Sequence, residues 1–231
     1  MSTTSVDVQS HGDHDHDHGH DPHHQHHFTT MEQQFDTAKI GMWLFLATEI
    51  LLFGGLFVGF GLMQARFPRE FVEAHHHLKR MMGATNTVIL LFSSWTMVMA
   101  VHSAKKSDKA KTQLFLLLTI LCACGFLVVK YFEYTADFSE GLFPAMWYNH
   151  HGDLIPGSRG YATFFSFYFM MTGLHGIHIL VGIILLAVLY FKAGKGEYTK
   201  AYYTPVDLVG LYWHIVDMIW IYLFPLYYLI S

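Results

Sequence analysis

Hydrophobic positions in this chain run in long unbroken blocks rather than in the one-sided stripe of a soluble helix. Residues 39–63, KIGMWLFLATEILLFGGLFVGFGLM, are apolar all the way round and match the roughly 20 residues that carry a helix across a bilayer core. Spans are predicted at about 40–63, 84–102, 113–134, 162–191 and 206–230, which makes the expected fold an all-α integral membrane bundle of five transmembrane helices. The fourth block is long enough to tilt or protrude, and Pro225 in the last should bend it or loosen its final turns. Residues 1–38 are polar, and their centre, HGDHDHDHGHDPHHQHH at 11–27, is expected to be disordered because it can bury no core. The chain thus divides into a His/Asp-rich tail, 1–38, and a membrane domain, 39–231. No unit repeats in the manner of a solenoid or an inverted-repeat transporter.

Composition sharpens this picture. Of 231 residues, 52% are hydrophobic and only 14% charged, too few charges to clothe a soluble domain of this length. The net charge of -4 lies mostly in the tail, and without a concentrated basic patch nucleic-acid binding is excluded. No basic stretch followed by a short apolar one precedes the first span, which is therefore expected to act as its own insertion signal. Lysines set the orientation. Lys105, Lys106, Lys109 and Lys111 crowd one loop and Lys192, Lys195 and Lys200 another, whereas the connection 135–161 holds Asp137, Glu140 and Asp153 against Arg159. The positive-inside rule then places the N-terminus in the cytoplasm and Ser231 outside. Arg66, Arg69, Lys79 and Arg80 break the rule in that arrangement.

Ionisable groups inside the spans are costly and are functional candidates by default. Counted at 1.5 Å per residue, Glu49 lies about 14 Å from the cytoplasmic side, His214 and Asp217 about 10–15 Å, and His175 and His178 about 15–25 Å. Both pairs have the spacing of three that puts two side chains on one helical face. A shared polar pocket is cheaper than five separate burials. Such a pocket could ligate haem or a metal, bind a transported cation or relay protons. The same groups could instead bond helix to helix, to lipid head groups or to a partner subunit. Lys130 and Glu133 read as a local ion pair or as snorkelling at a helix end. Gly55 and Gly59, with Gly173, Gly176 and Gly182, suggest close helix contacts. Trp43, Trp147 and Trp213 fit interfacial belts. Cys122 and Cys124, two apart, point to different sides and read as packing residues. In the tail, His14, His16, His18 and His20 alternate with aspartate and could collect divalent metal, although no fixed ligand spacing defines a site. Neither a phosphate loop nor a nucleophile–base pair is present, so no catalytic machinery is expected in this chain.

Several strings together are recognisable. KIGMWLFLATEILLFGGLF, NTVILLFSSWTMVMA, KYFEY, TGLHGIHILVG and YWHIVDMIWIYLFPLYYL resemble, in the same order, subunit III of the haem–copper respiratory oxidases, in its short bacterial form with five helices. The likeness covers residues 39–230. It implies an accessory subunit of a proton-pumping cytochrome c oxidase of the bacterial plasma membrane. Such a subunit binds no haem or copper itself, packs beside oxidase subunits I and II and holds structural phospholipid. It supports proton uptake and turnover stability, sometimes within a cytochrome c-containing supercomplex. Glu49 matches the family's buried, carbodiimide-reactive glutamate, and His175, His178, His214 and Asp217 match motif positions without an assigned role. Quinol oxidases and nitric oxide reductases have related subunits; the glutamate in ATEILLFGG resembles the cytochrome c branch, where those relatives often carry aspartate. A divalent-cation transporter with a His-rich tail, and a di-haem cytochrome using His175, His178 and His214, are the competing readings.

Overall fold

The computed structural model describes residues 31–139, 158–198 and 202–229. Six helices follow one another: α1 (Met31–Arg66), α2 (Pro68–His75), α3 (Arg80–Lys105), α4 (Lys109–Ser139), α5 (Ser158–Lys195) and α6 (Thr204–Tyr228). All but α2 are long and apolar enough to cross a membrane, as the block pattern predicts. Their ends run beyond the apolar blocks. Residues 31–38, assigned above to the tail, are helical, and α4 and α5 continue into the 135–161 connection. Apolar length measures only what must sit in lipid, whereas the backbone ladder continues into the interface. The histidine-rich stretch 11–27, with His14, His16, His18 and His20, lies outside the described residues, as do Glu140, Trp147, Asp153 and Lys200.

Local chemistry ends the helices. Asp108 caps α4, its Oδ1 accepting the Lys111 N–H at 3.2 Å. Gly196, with φ +77°, takes the left-handed conformation that stops α5.

Lipid supplies no hydrophobic drive between helices, so tight packing and interhelical hydrogen bonds must hold the bundle. The closest pairing is α3 along α4; α5 lies against α4, and α6 packs on both α3 and α5. α1 leans mainly on α5 and α6 and buries the least of its apolar length. A ring cluster anchors its far end: Phe60 stands 5.2 Å from Phe71 of α2 and 5.0 Å from Tyr227 of α6. Of the expected glycine contacts, three form within the chain, that of Gly173 a looser one in which an added Cβ would lie 4.0 Å from Tyr134 Oη. Gly59 faces Phe167, and a Cβ added at Gly182 would meet the Trp213 ring at 2.5 Å. Gly55 and Gly176 face open space. Trp213 corrects the belt assignment. It is wholly buried and donates from Nε1 to Ser93 Oγ at 3.1 Å, because distance along a span says nothing about which face turns inward. Trp43 is exposed, as a belt residue should be. Cys124 is exposed and Cys122 half-buried, and both are free thiols.

The short helix α2 escapes a hydropathy reading because it is amphipathic. Pro68 opens it, and Phe71, Ala74 and His75 point inward. Of the residues that break the positive-inside rule, Arg69 lies within it and Arg66, Lys79 and Arg80 flank it, all with exposed side chains. His75 Nδ1 bonds the Val72 carbonyl and so carries the ring hydrogen, which leaves Nε2 to accept from Arg80 Nη2 at 2.9 Å. That arrangement requires a neutral imidazole. Burial above all, and then the positive neighbours His76 and Arg80, hold His75 below its ordinary 6.5, against the pull of the Val72 bond. A lowered histidine stabilises the docked segment above the ordinary histidine range, and that contribution is lost as pH falls through the folded value. Amide exchange in residues 68–80, corrected for intrinsic rates, is therefore expected to accelerate on acidification. His75→Gln should remove the pH dependence, and a flat wild-type profile would contradict this reading.

Candidate functional site

Hydrogen bonding sorts the five predicted intramembrane residues into separate seams. Glu49 on α1 and His178 on α5 meet directly, Oε2 to Nε2 at 2.8 Å, each side chain 14% exposed. His178 Nδ1 bonds the Leu174 carbonyl at 2.8 Å, so Nδ1 must carry a hydrogen. One further proton then serves the Glu49–His178 contact, as a carboxyl O–H donating to Nε2 or as an imidazolium donating to a carboxylate. Either state satisfies both groups in lipid, where leaving one unpaired is expensive. Phe53, one turn beyond Glu49, sets its ring edge on the imidazole at 5.5 Å. Tyr212 Oη donates to the His178 carbonyl at 2.9 Å, tying α6 to the same place.

The second seam joins α3 and α6. His214 Nδ1 lies 2.8 Å from Ser94 Oγ, and Asp217 Oδ2 lies 3.4 Å from Ser93 Oγ. Among the described residues no hydrogen bond links this group to Glu49 or His178, so the five do not form one shared pocket. His175 stands apart again. It is wholly buried, with Phe126 edge-on at 5.4 Å and Trp220 at 5.3 Å, and neither ring nitrogen has a hydrogen-bond partner among the described residues.

A third polar group was read too weakly from sequence. Lys130 and Glu133 form the predicted ion pair at 2.8 Å, but they do not snorkel; their side chains are 9% and 0% exposed. The Lys130 ammonium also donates to Tyr228 Oη at 2.9 Å and Tyr168 Oη at 3.3 Å, while Tyr228 donates to Glu133. The Trp220 ring lies 4.8 Å beneath the charge, a favourable cation–π distance. Each ammonium hydrogen has an acceptor, which is the condition for tolerating a buried charge. Lys130, Glu133 and buried Asp137 recur on one face of α4, and that periodicity was the available signal. Ser93 and Ser94, by contrast, carry no sequence signal beyond being hydroxyls in an apolar run.

Chemically, these seams hold protons and fix helix positions. Among the described residues there is no group of three or more histidine, cysteine, aspartate or glutamate side chains placed to hold a metal. Both nitrogens of His178 are engaged, and His175 faces aromatic rings.

Comparison with known proteins bears on the same helices. The family model for cytochrome c oxidase subunit III matches residues 158–231, which include α5 and α6 with both histidine motifs. The chain is 31% identical over 195 residues to a protein named cytochrome c oxidase subunit 3 in Corynebacterium diphtheriae, covering 84% of this chain and 88% of that one. It is 29% identical over 209 residues to a quinol oxidase subunit 3 of Bacillus spizizenii, covering 87% and 92%. A probable cytochrome c oxidase subunit 3 of Mycobacterium tuberculosis is 28% identical over 192 residues, covering 83% and 87%. These similarities extend across the bundle, and the chain belongs to the subunit III family of the haem–copper oxidases.

Proposed function

We propose that this chain is the accessory subunit of a proton-pumping cytochrome c oxidase, holding no haem or copper and docked beside the two larger subunits that do. The observation that carries the reading is the Glu49–His178 pair at the α1–α5 seam. It joins the glutamate of ATEILLFGG to the histidine of TGLHGIHILVG, two of the strings that carry the family resemblance. A glutamate at that position supports cytochrome c rather than quinol as the donor. The orientation is cytoplasmic for the N-terminus, supported by the Lys105–Asp207 contact at 3.4 Å. That contact puts the lysine-rich α3–α4 turn and the start of α6 at one end of the bundle, where the positive-inside rule expects the cytoplasm. Half-buried and reachable from lipid, the Glu49–His178 pair would fix the α1–α5 seam and the phospholipid packed along it.

Purification through this chain in gentle detergent tests the assignment. Haem and copper should arrive with larger subunits and stay with them when this chain is stripped away. Haem remaining on the isolated chain would overturn it, and a colourless chain that binds divalent metal and transports it would favour the transporter. Glu49→Gln keeps a group that can donate to His178 Nε2. The variant should assemble, yet lose lipid or inactivate faster during turnover, because its amide cannot share the ionisable proton. Unchanged lipid content and inactivation kinetics would reduce Glu49 to a packing residue.

A further inference from the structure

Between α3 and α6, at the end marked by Lys105 and Asp207, lies an open cavity of about 240 Å³ lined by residues that include Val98, His102, Lys105, Asp207, Gly210 and His214. Its mouth is open and charged, carrying Asp207 and a Lys105 side chain that is 46% exposed. Its volume and four polar lining groups suit several ordered waters. His214 forms the inner end. Its Nδ1 is taken up by Ser94 at 2.8 Å, and Nε2 has no partner among the described residues. The Asp217 carboxyl lies beside both serine hydroxyls, with Ser93 Oγ 3.4 Å from its Oδ2 and Ser94 close enough to act on it. Asp217 is 3% exposed, and its Oδ1 has no hydrogen-bond partner among the described residues. The order from water inward is thus imidazole, hydroxyl, carboxyl.

We infer that Asp217 is a separate proton-binding site, loaded and emptied only from the cavity side through His214 and Ser94. A hydronium in the cavity protonates Nε2. The Nδ1 proton passes to Ser94 Oγ as the Ser94 proton passes to the Asp217 carboxylate, leaving neutral imidazole, intact hydroxyl and neutral carboxyl. Release runs the same steps backwards. The relay ends there. Leu90 of α3, Val216 and Trp220 of α6 and Phe126 of α4, all buried, fill the bundle around and beyond Asp217, so the site takes up a proton without offering a route across the membrane. The titratable group coupled to Asp217 is Cys122 from α4, and His214 stands three residues before it on its own helix; α3 brings only the hydroxyls of Ser93 and Ser94, and α1 and α5 bring no charged group among the described residues. The inference rests on the membrane placement of the helices, not on which oxidase the chain serves.

Infrared spectroscopy of the purified complex tests it, with 13C-labelled aspartate to mark aspartyl carboxyl bands and Asp217→Asn to assign one. The Asp217 C=O band should shift when the sample is moved into D2O. His214→Phe and Ser94→Ala should keep the band but slow the shift by roughly a hundredfold. Val98→Trp, placed on the half-exposed cavity wall, should slow it without touching the relay, and serves if Asp217→Asn does not accumulate. No aspartyl band responding to these variants at any pH at which the complex is intact would overturn the proposal. So would exchange at the wild-type rate in both His214→Phe and Ser94→Ala.

Discussion

Lys130→Ala is expected to destabilise the bundle by about 3–5 kcal/mol, the usual cost of removing one partner of a buried ion pair. The reason is what remains. Glu133 is wholly enclosed and Asp137 nearly so, and both act electrostatically on Lys130. Without the ammonium, two buried carboxyls one helical turn apart lose their cation, and Tyr168 loses its hydrogen bond to α4. Denaturant titration of the solubilised complex, or retention of this chain during purification, would report the loss. A second variant separates charge from shape. Lys130→Met with Glu133→Leu removes both charges and should recover much of the stability, since well-packed apolar replacements often equal or exceed a buried pair. A double variant no better than Lys130→Ala would mean that Tyr168, Tyr228 and Trp220 require the ammonium itself.

The second large effect is expected at the α5–α6 contact. Trp213→Ala should cost about 3–5 kcal/mol, because the bundle cannot close over a vacated indole and Ser93 loses its donor. Gly182→Ala should cost about 1–3 kcal/mol through overpacking, since the new methyl would overlap a ring that is itself fixed by the Ser93 bond. The two act through one contact and should not add. Gly182→Ala in a Trp213→Leu background should be milder than in wild type, because the smaller side chain leaves room for the methyl. Equal costs in both backgrounds would place the glycine's role elsewhere, in backbone flexibility.

The architecture was legible because membrane spans need only length and apolarity, and both are written directly in the chain. The Glu49–His178 contact was half legible: depth estimates brought the two into one half of the bilayer, and family resemblance marked both strings. What depth could not give was azimuth. His175 and His178 share a helical face by spacing, yet one turns into an aromatic cage and the other onto Glu49. His214 and Asp217 lie at similar depth but turn to α3, where the deciding partners are two serines. Lys130 shows the same limit from the other side. Its nearness to a span end suggested a local ion pair or snorkelling; the pair forms, but rotation about α4 carries it inward. α2 was missed because a short amphipathic helix leaves no mark on an apolar-block scan.

The order in which the chain is made gives the loose seating of α1 a further meaning. Its principal neighbours, α5 and α6, are the last helices to be synthesised. Until they arrive, the ribosome has delivered a span whose Glu49 has no His178 to meet. Nascent or truncated chains would therefore expose an unpaired intramembrane acid, the kind of flaw that membrane quality control can recognise. Completion of the C-terminal hairpin would then conceal it, so the pair that marks the finished subunit would also mark the unfinished one for removal.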